Sequence, residues 1–349
     1  MYEAKYFKYT LKFINPSGTS RGVLNEKPTW LIKIFKKDSP NIFGIGECGP
    51  IEGLSIDPIN KMGNKLKDLV YNINTYKEID LLNFPSIAFG LETALKDLEN
   101  NGVRAIYQND FYKGIKPIRI NGLIWMGNPS HMKKQIKEKL NLGFSCLKLK
   151  IGAINFEDEI SILKDIRDEF SEDNLELRVD ANGAFNTKDA IFKLDKLSKL
   201  KIHSIEQPIA PNQLEEIKKL CSTSPIPIAL DEELIKNRTQ KQKEELIKNI
   251  KPQYLVLKPS LLGGFKQTKQ WIEIAKKNNI SWWITSALES NIGLNAIAQF
   301  CAEFQLNLPQ GLGTGNLYSN NINSPLTLNG ELLSYDPNKK WSLNNFIES

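Results

Sequence analysis

Five short apolar stretches of the sequence each end on a polar residue able to do chemistry. ELRVD ends on Asp180, HSIE on Glu206, IPIALD on Asp231, YLVLK on Lys258 and WWITS on Ser286. Successive members stand 25 to 28 residues apart, about the length of one strand-plus-helix unit of a barrel. One unit earlier, LKLKIG at Leu147–Gly152 carries Lys148 and Lys150 two apart. Strand alternation puts both lysines on one face. The order is therefore Lys and Lys, Asp, Glu, Asp, Lys, each at the C-terminal end of a successive strand. In a closed barrel that rim is where active sites lie.

Three carboxylates on neighbouring strand ends offer only oxygen. Such a set suits a hard cation that keeps open positions for water and substrate, Mg2+ first and Mn2+ second. Zinc would want histidine or cysteine, and neither His131 nor His203 ends a strand of this series. Asp180, Glu206 and Asp231 are thus candidate metal ligands. A metal so held binds a substrate carboxylate and stabilises the enolate left when the α-proton departs. A lysine base must be neutral to take that proton, and its ordinary pKa of about 10.4 is too high. A second ammonium, a divalent cation and burial all disfavour the charged form. Lys150 is expected to be the base, with Lys148 lowering its pKa or orienting it. Lys258, across the rim, is a second acid/base or a fixed cation. Arg178 points the same way as Asp180. The plainer account makes the acids helix caps or solvated loop residues, and makes the lysines and Arg178 their salt-bridge partners. Three acids at barrel period, each after a buried strand, weigh against it. A metal-free Schiff-base lyase using Lys258 would leave the three acids unexplained.

The elements that must position these groups follow from periodicity. Residues 2–14 and 29–36 alternate apolar and polar, as antiparallel strands do. PSGTSRGV at 16–23 reads as a Gly/Ser-rich loop, and FGIGECGP at 43–50 as a short strand. Residues 58–75 and 85–100 read as helices, the second with Ile87, Leu91, Ala94, Leu95 and Leu98 on one face. From about Pro117 short apolar strands alternate with amphipathic helices, which implies parallel strands and right-handed crossovers. Seven or eight such units point to a closed α/β barrel. A doubly wound open sheet is the alternative, weakened by the absence of GxGxxG after the first strand.

The bulk numbers exclude other classes. A chain of 349 residues fits one large domain and a smaller one. With 41% hydrophobic and 25% charged residues it reads as an ordinary globular protein. The net charge of +6 is spread among glutamates and asparagines, so no nucleic-acid partner is expected. Cys48, Cys146, Cys221 and Cys301 form no CxxC pair, as free thiols in a reducing compartment would. There is no signal-peptide pattern and no apolar run long enough for a membrane span. A cytoplasmic enzyme acting on a small-molecule carboxylate is expected, with its oligomeric state, homo-oligomer included, left open.

LKLK, RVDANG, SIEQP, ALDE, LKPSLLGG and TSALES together resemble the enolase superfamily, in its muconate-lactonizing-enzyme-like branch. TSRG near Ser20, GIGECGP at 44–50 and SALES at 286–290 followed by Asn291–Gly293 resemble most the o-succinylbenzoate synthase family, the dehydratases of menaquinone biosynthesis. The resemblance covers nearly the whole chain. It implies a modified (β/α)7β TIM-type barrel over 116–315, with an α+β capping domain from 1–115 joined by the tail 316–349. It implies that Lys150 removes the α-proton of a cyclohexadiene carboxylate and returns it to the departing hydroxyl on the same face. Lys258 would stay charged, and Asp180, Glu206 and Asp231 would bind Mg2+. Ser286, Glu289, Ser290, Arg178 and the 15–25 loop with Ser20 would hold the substrate's carboxylate and succinyl arm. Dipeptide epimerases, N-acylamino acid racemases and cycloisomerases of the superfamily keep the same lysines and acids and remain open. Epimerases of this branch carry Asp-x-Asp near the eighth strand. Neither SALESNIG nor GLGTG holds such a pair, which argues against an amine-bearing substrate.

Overall fold

The computed structural model describes residues 1–19 and 22–343. Three strands open the chain, β1 (Tyr2–Thr19), β2 (Gly22–Lys36) and β3 (Ser39–Cys48), as an antiparallel meander. The apolar face of β2, with Trp30, Ile32 and Ile34, packs on α1 (Met62–Tyr71) and α2 (Pro85–Glu99). In α2, Ile87, Leu91, Ala94 and Leu98 recur at helical spacing and all point into that contact. Pro85 opens the helix where its missing N–H costs nothing. The helix lies close against β3 because glycine faces glycine: a Cβ on Gly46 would stand 1.9 Å from the Gly90 carbonyl oxygen.

Two expectations for this region need correction. Residues 16–23 are not a loop. The β1–β2 ladder runs on to Thr19↔Gly22 after a register shift between Lys12 and Ser17, so the Gly/Ser composition marks a long hairpin. Ser20 lies outside the described residues. The single helix expected over 58–75 is α1 flanked by 3-10 turns at Ile59–Lys61 and Ile73–Glu78.

The barrel begins with β4 (Ile118–Arg119) and β5 (Gly122–Ile124), then α3 (Pro129–Asn141), β6 (Cys146–Lys150), α4 (Phe156–Glu169) and β7 (Glu176–Asp180). It continues through α5 (Ala190–Ser198), β8 (Ser204–Glu206), α6 (Leu214–Thr223), β9 (Ile228–Leu230), α7 (Glu232–Ile235) and α8 (Gln240–Ile250). It ends with β10 (Tyr254–Leu257), α9 (Pro259–Leu262), α10 (Phe265–Lys277), β11 (Ser281–Ile284) and α11 (Asn291–Cys301). Strands β5 to β11 form one parallel seven-stranded sheet in chain order. The ring is closed by a segment with almost no strand character in its sequence. The Gln310 and Gly311 amides donate to Arg119 and Ile284 carbonyls, each at 2.9 Å, and parallel bridges join these two residues to Ile120 and Thr285. GLGTG thus begins at the eighth-strand position. Leu147, Leu149, Val179 and Ile205 face the helices and are buried.

The tail holds both units. Tyr318 bridges to Phe13 of β1, and the Ser319 amide donates to the Lys12 carbonyl at 2.9 Å. Then β12 (Leu326–Asn329) pairs with β13 (Leu332–Tyr335), and β13 pairs with β4. Among the described residues no helix is long and apolar enough to cross a membrane.

A buried ion pair fastens α2, β3 and α11 together. Asp97, fully buried, accepts from the Arg104 amide at 2.7 Å, from Arg104 Nε at 3.0 Å and from the Ile45 amide at 3.0 Å. The Arg104 carbonyl in turn accepts from Gln299 Nε2 at 2.9 Å and Asn295 Nδ2 at 3.1 Å. Asp97→Ala leaves Arg104 buried and unpaired, so a loss of about 3–5 kcal/mol is expected in urea unfolding. A loss below about 1 kcal/mol would show that this pair does not hold the units together.

Candidate active site

Lys150, Asp180 and Glu206 end β6, β7 and β8, and they are laterally paired across those strands. Asp231 and Lys258 each stand one residue beyond β9 and β10. All five lie at one end of the barrel. Above them is a cavity of about 270 Å³. Leu123 and Trp125 form one wall, Trp283, Ser286 and Thr314 another. The capping domain closes it with Val23 and Leu24 of the hairpin and with Ile51 and Leu54 after β3. A small cavity with apolar walls and a few charged groups suits a ring-bearing carboxylate.

The charges beneath are buried and interlocked. Asp180, Glu206 and Asp231 are each no more than 2% exposed. Lys148 Nζ bridges Asp180 Oδ2 at 3.0 Å and Glu206 Oε2 at 2.6 Å. Lys258 pairs with Asp231. Lys150 Nζ is 3.3 Å from Asp180 Oδ2, and its shorter bond, 2.7 Å, is to the neutral Oδ1 of Asn182. Burial works against the ammonium of Lys148, but Asp180 and Glu206 override it and hold Lys148 above the usual lysine range. Burial and then Asp231 act in the same opposed way on Lys258, with the same net direction. Burial would raise Asp180, but Lys148, Lys150 and Lys258 together hold it well below the usual carboxylate range. Glu206 is different. Burial, with Asp180 and Asp231 as like-charged neighbours, pushes it up to about 8.

Among the described residues no three His, Cys, Asp or Glu side chains are drawn around a common point; the carboxylates lean on lysines instead. The donor chemistry nevertheless fits a hard cation. It is oxygen-only and carried on adjacent strand ends. Glu206 Oε1 is buried with no hydrogen-bond partner. A carboxylate raised by like charges beside a bare oxygen marks a place short of positive charge.

The expected site residues divide in two. Lys148, Lys150, Asp180, Lys258 and Ser286 line the cavity, with Glu206 and Asp231 packed behind the lysines. Arg178 does not line it. Two residues before the strand end, it sits deeper in the barrel, bound to Glu176 Oε1 at 2.6 Å and the Pro309 carbonyl at 3.0 Å, with its guanidinium 4.4 Å from the Trp283 ring. Glu289 and Ser290 also face away from the cavity, fully buried. Glu289 bonds Ser260 and the Ala287 amide, and Ser290 caps α11. Lys148 itself bridges two carboxylates and is their counter-charge. Asn182 was missed, although RVDANG announces it. Its left-handed backbone, φ 44, turns the chain back so that its amide reaches Asp180 Oδ1 at 3.0 Å while its side chain meets Lys150. Leu288 was missed too. It lines the cavity at φ 62, a backbone that costs a branched residue about 1–2 kcal/mol.

Comparison with known proteins agrees with this geometry. The family model described as Enolase C-terminal domain-like matches residues 131–342. An o-succinylbenzoate synthase of Desulfotalea psychrophila is 45% identical over 95% of this chain and 98% of its own length. The crystal structure of MenC from the same organism superposes with a TM-score of 0.87 at 40% identity, over 95% of this chain and 99% of that one. A dipeptide epimerase from Enterococcus faecalis, solved with Mg and the dipeptide L-Leu-L-Tyr, has a TM-score of 0.81 at 21% identity over 97% of each chain, a likeness of fold. The chain belongs to the enolase superfamily, within the o-succinylbenzoate synthase family of lyases.

Proposed function

We propose that the chain is a Mg2+-dependent dehydratase of the cytoplasm. It converts 2-succinyl-6-hydroxy-2,4-cyclohexadiene-1-carboxylate to 2-succinylbenzoate and water in menaquinone biosynthesis. The observation that carries this reading is 45% identity to an o-succinylbenzoate synthase along nearly the whole chain. The lysine-and-carboxylate mouth described above supports it.

Asp180, Glu206 and Asp231 would hold the Mg2+, which when bound supplies Lewis-acid stabilisation to the substrate carboxylate and so acidifies its α-proton. The rest falls to side chains of the protein. Lys148 and Lys258 are held charged by their carboxylates. Lys150 lines the cavity and donates most closely to the neutral amide oxygen of Asn182; the proton transfer is assigned to it. Lys150 Nζ takes the proton from ring carbon 1. The electron pair left behind forms the new C1–C6 double bond as the C6–O bond breaks. Lys150 then returns the proton to the leaving hydroxyl, which departs as water on the same face. The ring becomes aromatic and Lys150 is restored. Lys258, across the mouth, places a fixed positive charge against the anion that develops between these steps. Trp125, Leu123 and the capping residues Ile51 and Leu54 keep bulk water away.

One observation favours a second reading. Lysines stand on opposite sides of the cavity, as an N-acylamino acid racemase or a dipeptide epimerase requires. The deciding assay offers the purified enzyme the cyclohexadiene precursor, an Ala-Glu dipeptide and an N-succinylamino acid side by side. Turnover of the precursor at least about 100-fold more efficient than the others is expected; a preference for either of the others sinks the dehydratase assignment. Lys150→Ala should cut kcat by at least about 10³-fold with an unchanged circular dichroism spectrum, in line with the loss of an essential acid–base group. Measurable dehydration by that variant would remove Lys150 from its role. Chelation with EDTA should abolish turnover, and either Mg2+ or Mn2+ should restore it. Full activity in excess EDTA would rule out the metal.

A further inference from the structure

One wall of the cavity is held in a conformation its residue disfavours. Leu288 lines the cavity with its backbone in the left-handed region, at φ 62. A side chain with a Cβ and a branch resists that region. Such strain persists where the surroundings over-determine it, and it gathers at functional sites.

Three contacts bracket Leu288. Before it, the Ala287 amide donates to Glu289 Oε2 at 2.6 Å. At Leu288 itself, the Tyr318 hydroxyl donates to the carbonyl oxygen at 2.7 Å. After it, Ser290 donates to Glu47 through its amide at 3.0 Å and its hydroxyl at 2.5 Å, and the Gly293 amide donates to the same carboxylate at 3.1 Å. Glu47 belongs to β3, in the capping domain, whereas Ser290 and Gly293 form the first turn of α11, in the barrel. A carboxylate from one domain thus sits on the positive end of a helix from the other. Thr29 Oγ1, on β2, donates to it at 3.0 Å, and buried Lys27 lies 3.9 Å away as counter-charge. Glu47 is itself fully buried.

We propose that Glu47 is a positioning residue for the reaction: by clamping the capping domain to the first turn of α11, it holds Leu288 in place as the substrate's wall. The capping domain then shapes the cavity from behind as well as covering it. The choice of substrate rests on the dehydratase reading; the clamp does not. Leu288 lines the cavity and belongs to none of the acid–base groups, so its displacement is expected to cost binding rather than chemistry. A purely structural Glu47 would give the opposite pattern: fewer active molecules and a lower apparent kcat, with KM unchanged.

The test is steady-state kinetics on Glu47→Gln, which keeps the size and loses the charge, and on Leu288→Gly. Circular dichroism reports the folded fraction. Both folded variants should raise KM for the precursor at least tenfold while kcat per folded molecule stays within about threefold. A KM within twofold of wild type in either folded variant overturns the proposal. Should Glu47→Gln not fold, Ser290→Ala removes the hydroxyl contact of the clamp while keeping the amide contact, and answers the same question less drastically, with Leu288→Gly beside it. A wild-type enzyme inert towards the precursor would defeat the dehydratase reading alone. The KM comparison is then made with whichever of the dipeptide and the N-succinylamino acid is turned over.

Discussion

The barrel mouth depends on how its buried negative charge is balanced. Three carboxylates on adjacent strand ends would repel one another and lose their hydration, an arrangement no apolar core tolerates unaided. Lys148 answers for two of them and Lys258 for the third. The balance is uneven. Glu206, between Asp180 and Asp231, stays raised to about 8 and keeps one bare oxygen. A divalent cation would relieve that site first. The lysines also differ in their contacts: Lys148 bridges two carboxylates, Lys258 pairs with one, and Lys150 divides its contacts between Asp180 and the amide of Asn182.

Strand ends make good anchors for such a network because the ladder fixes their spacing and leaves side chains little freedom to drift. The parallel sheet places Lys150, Asp180 and Glu206 side by side without help from any loop. Shape comes from elsewhere. The apolar walls belong largely to the β1–β2 hairpin, to the segment after β3 and to the turn after β11, where Leu288 is strained. Chemistry and shape are thus assigned to different parts of the chain, one rigid and periodic, the other irregular and built across two units.

That division explains what the sequence disclosed. The βα repeat has a length, so residues at strand ends recur at that length, and Asp180, Glu206, Asp231 and Lys258 could be placed from spacing alone. Alternation also tells which face a residue takes, but it says nothing of depth. Arg178 shares a face with Asp180 and lies one layer further in, against Glu176 and Pro309, where it does not line the cavity. The family resemblance put Glu289 and Ser290 at the substrate, yet after the turn at Leu288 Glu289 bonds Ser260 and the Ala287 amide, and Ser290 bonds Glu47 of the capping domain. Composition misled twice. Glycines and serines in PSGTSRGV hid a ladder that persists through a register shift, and glycines in GLGTG hid the segment whose first residues close the barrel. Glu47 stands within GIGECGP, but nothing in that stretch tells of its role, because its partners Ser290 and Gly293 are some 240 residues away and join it only through packing.

The fold cannot by itself decide between dehydration and racemisation, since a dipeptide epimerase shares it at 21% identity. The charge balance bears on that choice. Inverting a stereocentre needs a base on each face of the substrate, so the lysines on both sides must lose their proton in turn. Lys258 is poorly placed for that. Asp231 touches it, Glu206 lies near, and both favour its ammonium over the cost of burial. Dehydration on one face asks for one base only, followed by the return of the same proton to the leaving hydroxyl. Under the dehydratase proposal one positioned base, Lys150, is enough, and the driving force, the aromatic ring of the product, resides in the substrate.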